Sequence, residues 1–218
     1  MIVAIDGPAG SGKTTIAKLL SKKLNISYLD TGATYRALTL KALEEGIDLK
    51  DSHRLAHLAE NLNLKLEGQH TYLDGKDVSE QIRTPVIDKN ISIIVAYPEV
   101  RSVMVSLQRK VAKGRDFVVE GRDITTVVFP NAEFKFYLDA DCAIRAERRF
   151  RELEAKGIKI DFDEMQKDLH KRDDADKKRK VGALTLSSQA TYIDTTKMNI
   201  EEVIEAMHIH IKNKINNK

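Results

Sequence analysis

The sequence predicts an α/β fold in which helices flank a five-stranded parallel sheet, with a phosphate-binding loop after the first strand. An apolar run at residues 2–5 leads into a complete G-x-x-x-x-G-K-[ST] motif at residues 7–14 and then into helical spacing. A short strand at residues 27–30 follows, which gives β-α-β-α order. Three further strands are expected at residues 117–119, 134–138 and 191–194.

The glycine-rich loop is the most informative segment of the chain. Its glycines let the backbone turn tightly, so that successive N–H groups converge on the β- and γ-phosphates at the positive end of the next helix. Lys13 adds a point charge on the transferred phosphate, and the Thr14 hydroxyl is a ligand for Mg²⁺. The expected ATP-binding residues are Gly7, Pro8, Ala9, Gly10, Ser11, Gly12, Lys13, Thr14 and Thr15.

Composition limits the classes of protein that the chain can belong to. Its 218 residues suffice for one α/β domain, and 42% hydrophobic with 32% charged residues is typical of a soluble protein. A net charge of +3 gives a weak average field, which does not indicate nucleic-acid binding. No apolar run approaches the ~20 residues that a membrane span requires. We therefore expect a cytoplasmic protein with no membrane partner.

The other elements follow from hydrophobic spacing and from turn residues. We expect Thr34 to cap a helix that runs to residue 45, and residues 52–63 to form another helix. Residues 62–78 have the short runs and glycine turns of an antiparallel meander. Further helices are expected at residues 87–96, from Pro98 to the glycine at 114, and at 141–156, 161–172 and 200–215. The almost wholly charged stretch 173–179 has no apolar stripe and is expected to be a mobile flap.

These elements suggest a core at residues 1–61, 98–145 and 190–218. A nucleotide-binding insert is expected at about 62–97 and a lid region at about 146–189. In open parallel sheets ligands bind outside the carboxyl ends of the strands, so the polar clusters at 120–123 and 139–141 should face the phosphate loop.

The motifs also discriminate among reaction classes. The Asn-Lys-x-Asp of guanine-reading GTPases is absent, and so is the strand ending in an Asp-Glu pair that transport and motor ATPases carry. The motifs that are present are the phosphate loop, the Thr-Gly-x-x-Tyr-Arg turn at residues 31–36, the Gly-Arg-Asp strand end at 121–123 and the arginine-bearing flap. They suit phosphoryl transfer between two small nucleotides. That reaction needs positioning, charge neutralisation and the exclusion of water, which a charged flap can provide.

Six segments in one order resemble the bacterial cytidylate kinases of the nucleoside monophosphate kinase superfamily, which have a P-loop kinase fold. The resemblance runs almost from end to end. It rests on residues 7–15, 30–36, 121–123 with 126–130, 172–179 and 193–196, and on Ser92 with residues 98–101. A departure occurs at Thr125, where the family usually has glycine after Gly-Arg-Asp-Ile.

The resemblance implies a monomeric enzyme that transfers phosphate from ATP, with Mg²⁺, to CMP or dCMP. Arg36 and Arg122 would hold the acceptor phosphate, and Ser92, Arg101 and Asp123 would contact the cytosine. The family's ribose and lid positions fall on Arg172, Asp176 and Arg179. The implied catalytic residues are Lys13, Arg122, Arg172 and Arg179, and the implied substrate-binding residues are Thr31, Tyr35, Arg36, Ser92, Arg101, Arg122, Asp123, Arg172 and Asp176.

Two alternatives remain open at this stage. The acceptor could be UMP or another small phosphate acceptor, or the chain could be a nucleotide-sensing P-loop protein without turnover. The dense arginines at 145, 148, 149 and 151 are expected to face solvent for the most part, with at most one reaching a phosphate.

Overall fold

The computed structural model describes residues 1–155, 157 and 160–216. The chain forms two compact units, which we describe separately. Unit 1 comprises Met1–Ile26 and Phe117–Lys218, and unit 2 comprises Ser27–Asp116. The expected end of a helix at residue 156, and the last two residues of the core predicted to reach 218, lie outside the described residues.

The strands alternate with helices along most of the chain. The strands are β1 (Ile2–Asp6), β2 (Ser27–Asp30), β3 (Leu64–Glu67), β4 (His70–Leu73), β5 (Lys76–Asp77), β6 (Phe117–Gly121), β7 (Phe134–Asp139) and β8 (Thr191–Asp194). The helices are α1 (Lys13–Leu24), α2 (Thr31–Glu44), α3 (Ser52–Glu60), α4 (Pro85–Ile94), α5 (Pro98–Ala112), α6 (Cys142–Ala155), α7 (Phe162–Lys178) and α8 (Ile200–Asn216). A 3-10 turn covers Gln81–Arg83, and a π-helical turn covers Ile124–Val128.

The main sheet confirms the predicted α/β class. It has five strands in the order β2-β6-β1-β7-β8, of which all but β2 belong to unit 1. β1 pairs in parallel with β6 and with β7, and this register places Asp6 opposite both Gly121 and Tyr137. Apart from Ile2, which is partly buried, the apolar residues of β1, β6 and β7 are buried, as expected for parallel strands covered on both faces. The polar ends of β6 and β7 therefore lie at the edge of the sheet where the phosphate loop begins.

Unit 2 contains the antiparallel meander that the sequence predicts. β3, β4 and β5 form a three-stranded sheet in that order. Its turns lie at Gly68 and at Asp74 with Gly75, all of which have positive φ. One hydrophobic core packs α2 against the meander, and a second joins α2, α3, α4 and α5.

The structure corrects the predicted beginning of α2. The helix begins at Thr31 rather than after Thr34, and the Asp30 side chain caps it by accepting a hydrogen bond from the Ala33 N–H at 2.9 Å. Thr34 lies one turn inside, where its hydroxyl donates to the Thr31 carbonyl. Both residues are good capping types, but only Asp30 has the extended backbone of an N-cap.

The predicted end of the next-to-last helix at residue 172 is also wrong, because α7 continues through the expected flap to Lys178. The sequence lacks an apolar stripe there, but Asp173 and Asp176 continue the buried face of Met165 and Leu169 at helical spacing. Both carboxylates are paired with arginines, which makes their burial possible. Within the described ranges, no helix is long and apolar enough to cross a membrane.

Candidate active site

The phosphate loop connects β1 to α1 and has the backbone that its glycines predict. A Cβ at Gly7 would lie 2.0 Å from the Leu138 carbonyl oxygen, so no larger residue fits there. Gly12 caps α1 with a φ of 85°, a conformation that residues with a Cβ rarely adopt. The first N–H groups of α1 are thereby directed at the space enclosed by the loop, as in other anion-binding helix ends.

Lys13 is folded into the loop and is only 4% exposed. Its Nζ donates to the Pro8 carbonyl at 2.7 Å and lies 3.3 Å from Ser11 Oγ. Burial, followed by repulsion from Arg122, lowers the pKa of Lys13 to about 7, while Glu120, Asp176 and Asp6 partly oppose this shift. A buried cation with a weakened proton affinity is stabilised by a bound anion, which suits a phosphate-binding role.

Three of the sequence-predicted residues form an ion-pair cluster in unit 1. Arg122 Nε donates to Asp176 Oδ2 at 2.7 Å, and Arg179 Nη2 donates to the other oxygen of the same carboxylate. Burial disfavours the Asp176 carboxylate, but Arg122, Arg179 and then Arg172 outweigh it, so its pKa lies below the ordinary value. Asp176 therefore pairs with both arginines at once, and its single negative charge leaves these three side chains with a net positive charge.

Asp123 lies at the start of the segment that leaves β6, and it is buried. Its carbonyl accepts hydrogen bonds from the N–H groups of Val127 and Val128. Sequence reasoning missed the residue that holds this segment, Asp6, whose carboxylate accepts hydrogen bonds from Ile124 and Thr125. An acidic residue at the end of a fully apolar strand was the signal that could have indicated it.

The sequence analysis also missed an ion pair, Arg145 with Asp173, that connects the phosphate loop to α6 and α7. Asp173 Oδ1 accepts from the Ala9 N–H at 3.2 Å, and Asp173 Oδ2 accepts from Arg145 Nη1 at 2.6 Å. Arg145 also donates to the carbonyls of Ala9 and Ala140. Arg145 is therefore an exception to the expectation that most arginines of this helix face solvent, because its guanidinium binds backbone carbonyls in the interior.

The neighbouring arginines of α6 behave differently from Arg145. Arg148 donates to the hydroxyl and the carbonyl of Thr195. Arg149 and Arg151 form ion pairs with glutamates on the same helix, Glu152 and Glu147. Exposed pairs of this kind contribute little to stability.

Unit 2 brings together four of the residues expected to contact the acceptor. Thr31, Tyr35 and Arg36 lie on α2, and the Arg101 guanidinium of α5 lies 5.7 Å from the centre of the Tyr35 ring. Arg101 is only 2% exposed, whereas Ser92 lies on α4 and is exposed.

Arg36 is partly buried in the same unit. Its Nη2 lies 3.2 Å from Asp88 Oδ1, and its Nε is buried without a hydrogen-bond partner among the described residues. Asp30 pairs with Arg83 at 2.8 Å. Burial opposes the Asp30 carboxylate, but Arg36 and Arg83 lower its pKa overall.

Comparisons with known proteins show the family to which the chain belongs. The profile of the family described as cytidylate kinase matches residues 3–213. A cytidylate kinase of Caldanaerobacter subterraneus is 47% identical over 210 residues, covering 96% of this chain and 94% of that protein. A cytidylate kinase of Alkaliphilus oremlandii is 47% identical over 203 residues, covering 93% of this chain and 94% of that protein.

The fold is shared with more distant proteins as well. A crystal structure of an uncharacterized protein from Eubacterium ventriosum superposes with a TM-score of 0.50 at 16% identity, covering 97% of this chain and 98% of that one. That likeness concerns the fold alone. On the family profile and on these relatives, the chain belongs to the cytidylate kinase family.

Proposed function

We propose that this protein transfers the γ-phosphate of ATP to CMP and dCMP, giving ADP with CDP or dCDP, by direct in-line displacement. The observation that carries the proposal is the cluster in which Arg122 and Arg179 share the Asp176 carboxylate, while Arg122 and Asp176 interact electrostatically with Lys13. Phosphoryl transfer is catalysed mainly by positioning and by neutralising charge on phosphate oxygens. Cations placed beside a phosphate loop supply that neutralisation.

The donor side of the reaction is assigned to the loop, residues 7–15. Its backbone N–H groups and Lys13 would bind the β- and γ-phosphates of ATP. The Thr14 hydroxyl at the start of α1 would hold Mg²⁺ together with phosphate oxygens, which fits the preference of this ion for oxygen ligands. When bound, Mg²⁺ would supply further neutralisation of the transferred phosphate.

The acceptor side is assigned to the residues that the family resemblance indicates. Arg36 and Arg122 would bind the phosphate of CMP, with Thr31 and Tyr35 as further substrate contacts. The unpaired Arg36 Nε, buried next to an ion pair that a phosphate could replace, supports this role. Ser92, Arg101 and Asp123 would bind the cytosine, whose amino donor and two acceptors need an oxygen and a guanidinium as complements.

The helical segment 172–179 is assigned to closure over the substrates. Arg172 and Asp176 would contact the ribose, and Arg179 would contact phosphate. We propose that a bound phosphate competes with Asp176 for Arg122 and Arg179, so that substrate binding changes the position of this segment. Closure of this kind would exclude the water that could otherwise hydrolyse ATP.

An acceptor panel tests the function directly. ADP release and the nucleoside diphosphate product are measured with CMP, dCMP, UMP and AMP at equal concentrations, with Lys13→Ala as the background control. We expect CMP and dCMP to exceed UMP in kcat/KM by at least ~100-fold.

Two outcomes would each support a different reading. Equal rates with UMP would contradict cytosine selection and favour a broader pyrimidine kinase. Nucleotide binding by calorimetry without acceptor-dependent ADP release would favour a nucleotide-sensing protein.

A further inference from the structure

The carboxylate of Asp6 binds the segment that follows β6. Asp6 is the last residue of β1, directly before the phosphate loop, and its side chain is fully buried. Oδ1 accepts from the Ile124 N–H at 2.7 Å. Oδ2 accepts from the Thr125 N–H at 2.8 Å and from the Thr125 hydroxyl at 2.6 Å. One carboxylate thus satisfies three donors of a single turn.

This arrangement fixes Arg122 and Asp123 from both sides. The parallel register sets the Asp6 backbone opposite Gly121, the residue before this pair. The Asp6 side chain binds Ile124 and Thr125, the residues after it. The backbone between these two anchors spans only two residues, so the directions of the Arg122 and Asp123 side chains depend on where Asp6 holds the chain.

We propose that Asp6 is a positioning residue for Arg122 and Asp123, and that the Thr125 hydroxyl donates one of the three hydrogen bonds by which Asp6 fixes the turn. The proposal rests on the function proposed above, because it assigns Arg122 and Asp123 to the acceptor. It gives a role to the side chain of Thr125, whose hydroxyl and backbone N–H both donate to Asp6 Oδ2.

The chemistry of the contact requires an ionised Asp6. Three donors point at the two oxygens, and a proton on either oxygen would place an O–H donor against an N–H or O–H donor. Burial raises the pKa of Asp6 to about 6, and Asp123 adds to this effect, while the hydrogen bonds from Thr125 and Ile124 oppose it. Within the described part of the chain, Lys13 and Tyr137 also interact electrostatically with Asp6.

Matched variants of neighbouring threonines separate the hydroxyl from the shape of its side chain. Thr125→Val removes the hydroxyl at nearly constant volume, and Thr125→Ser retains it. Thr126→Val is the control, because the Thr126 hydroxyl donates to the Asp123 carbonyl at 3.5 Å rather than to Asp6.

The first measurement needs no catalysis. The carboxyl carbon of Asp6 is followed by ¹³C NMR across pH in the ligand-free protein. Loss of a hydrogen bond to the charged carboxylate makes its ionisation less favourable. Thr125→Val should therefore raise the Asp6 titration midpoint by about one pH unit. Thr125→Ser and Thr126→Val should leave the midpoint at the wild-type value.

The second measurement concerns the reaction. In the pH profile of kcat/KM for CMP, the pKa of the acid limb should rise in Thr125→Val by the same amount as the NMR midpoint. The titration of CMP and ATP themselves is the same for all variants and does not contribute to this difference. Asp6→Asn, whose amide group places a donor against donors, should lower CMP kcat/KM by ~10²-fold and reduce the CMP to UMP ratio. A merely structural role would change stability without changing that ratio.

The outcomes distinguish this proposal from the function on which it rests. An unchanged Asp6 midpoint in Thr125→Val, or a wild-type CMP to UMP ratio in a folded Asp6→Asn protein, would overturn it. If Asp6→Asn fails to fold, the Thr125→Val and Thr125→Ser pair still decides. If wild-type protein has no CMP kinase activity, the proposed function fails while the NMR titration still tests the hold of Asp6 on the turn.

Discussion

Asp173 and Arg145 form a buried ion pair, with Arg145 Nη1 2.6 Å from Asp173 Oδ2, and both side chains also bind the backbone of Ala9 in the phosphate loop. The pair belongs to α7 and α6, so two helices contact one loop residue through a single pair of charges. The position of the loop therefore depends on two residues that do not belong to its sequence motif.

Asp173→Ala should therefore destabilise the protein strongly. It leaves the Arg145 charge buried without its partner, which typically costs ~3–5 kcal/mol in the free energy of unfolding. Asp174→Ala is the matched control, because Asp174 is exposed and its contact with Lys178 is worth under ~1 kcal/mol. Urea denaturation of both variants measures the difference. Equal, small losses would show that Arg145 finds other partners.

Lys13→Ala should abolish turnover. The transferred phosphate would lose its loop cation, and comparable charge contacts are worth ~10³-fold or more in rate. CDP formation under saturating ATP and CMP measures the effect, and Lys22→Ala, an exposed position on the same helix, is the control. Near-normal CDP formation by Lys13→Ala would remove the phosphate loop from the mechanism.

The same lysine should destabilise the ligand-free protein. Because its pKa is lowered to about 7 in the folded state from 10.5, the penalty of charging it is full below about pH 7 and disappears as the pH rises toward 10.5. Lys13→Met should thus be more stable than wild type at pH 6, by at least ~1 kcal/mol, and no more stable near pH 10.5. Thermal unfolding without nucleotide at several pH values tests this sign. A constant difference across pH would contradict the burial cost.

Arg179 and Arg36 should differ in their kinetic effects. Arg179→Ala should mainly lower kcat, because its proposed contact with phosphate is made when the lid closes. Arg36→Ala should mainly raise the KM for CMP by ~10-fold or more, because it would bind the acceptor phosphate in the ground state as well. Steady-state kinetics with CMP as the varied substrate separates the two. The same KM effect in both variants would place Arg179 in ground-state binding.

Asp123→Ala should shrink the discrimination between CMP and UMP. A carboxylate that accepts from the cytosine amino group has no donor to meet when uracil presents O4, and such a mismatch can be worth up to ~10⁴-fold. We expect CMP kcat/KM to fall steeply and UMP kcat/KM to change much less. The ratio in wild type and variant is the measurement. A proportional fall with both substrates would assign Asp123 to catalysis or structure and place base selection elsewhere.

The sequence by itself determined the fold class, the five strands, the meander and the phosphate loop. These features depend on short-range patterns: apolar runs for parallel strands, glycines at turns, and a motif of eight consecutive positions at residues 7–14. The division into core, insert and lid, and the roles of the substrate-binding residues, stay predictions that the kinetic experiments address.

Only the tertiary structure decided which charges are buried and which partners they have. Asp6 accepts hydrogen bonds from Ile124 and Thr125, which are separated from it by 118 and 119 positions in the sequence. Asp173 accepts a hydrogen bond from Ala9 across 164 positions. A local sequence pattern contains no information about such distant partners. The sequence therefore did not distinguish Arg145 from the other arginines of α6, and it did not predict that α7 continues through residues 173–178. Buried charges need partners, and α7 stays helical through a polar stretch because Arg145, Arg122 and Arg179 pair with its carboxylates.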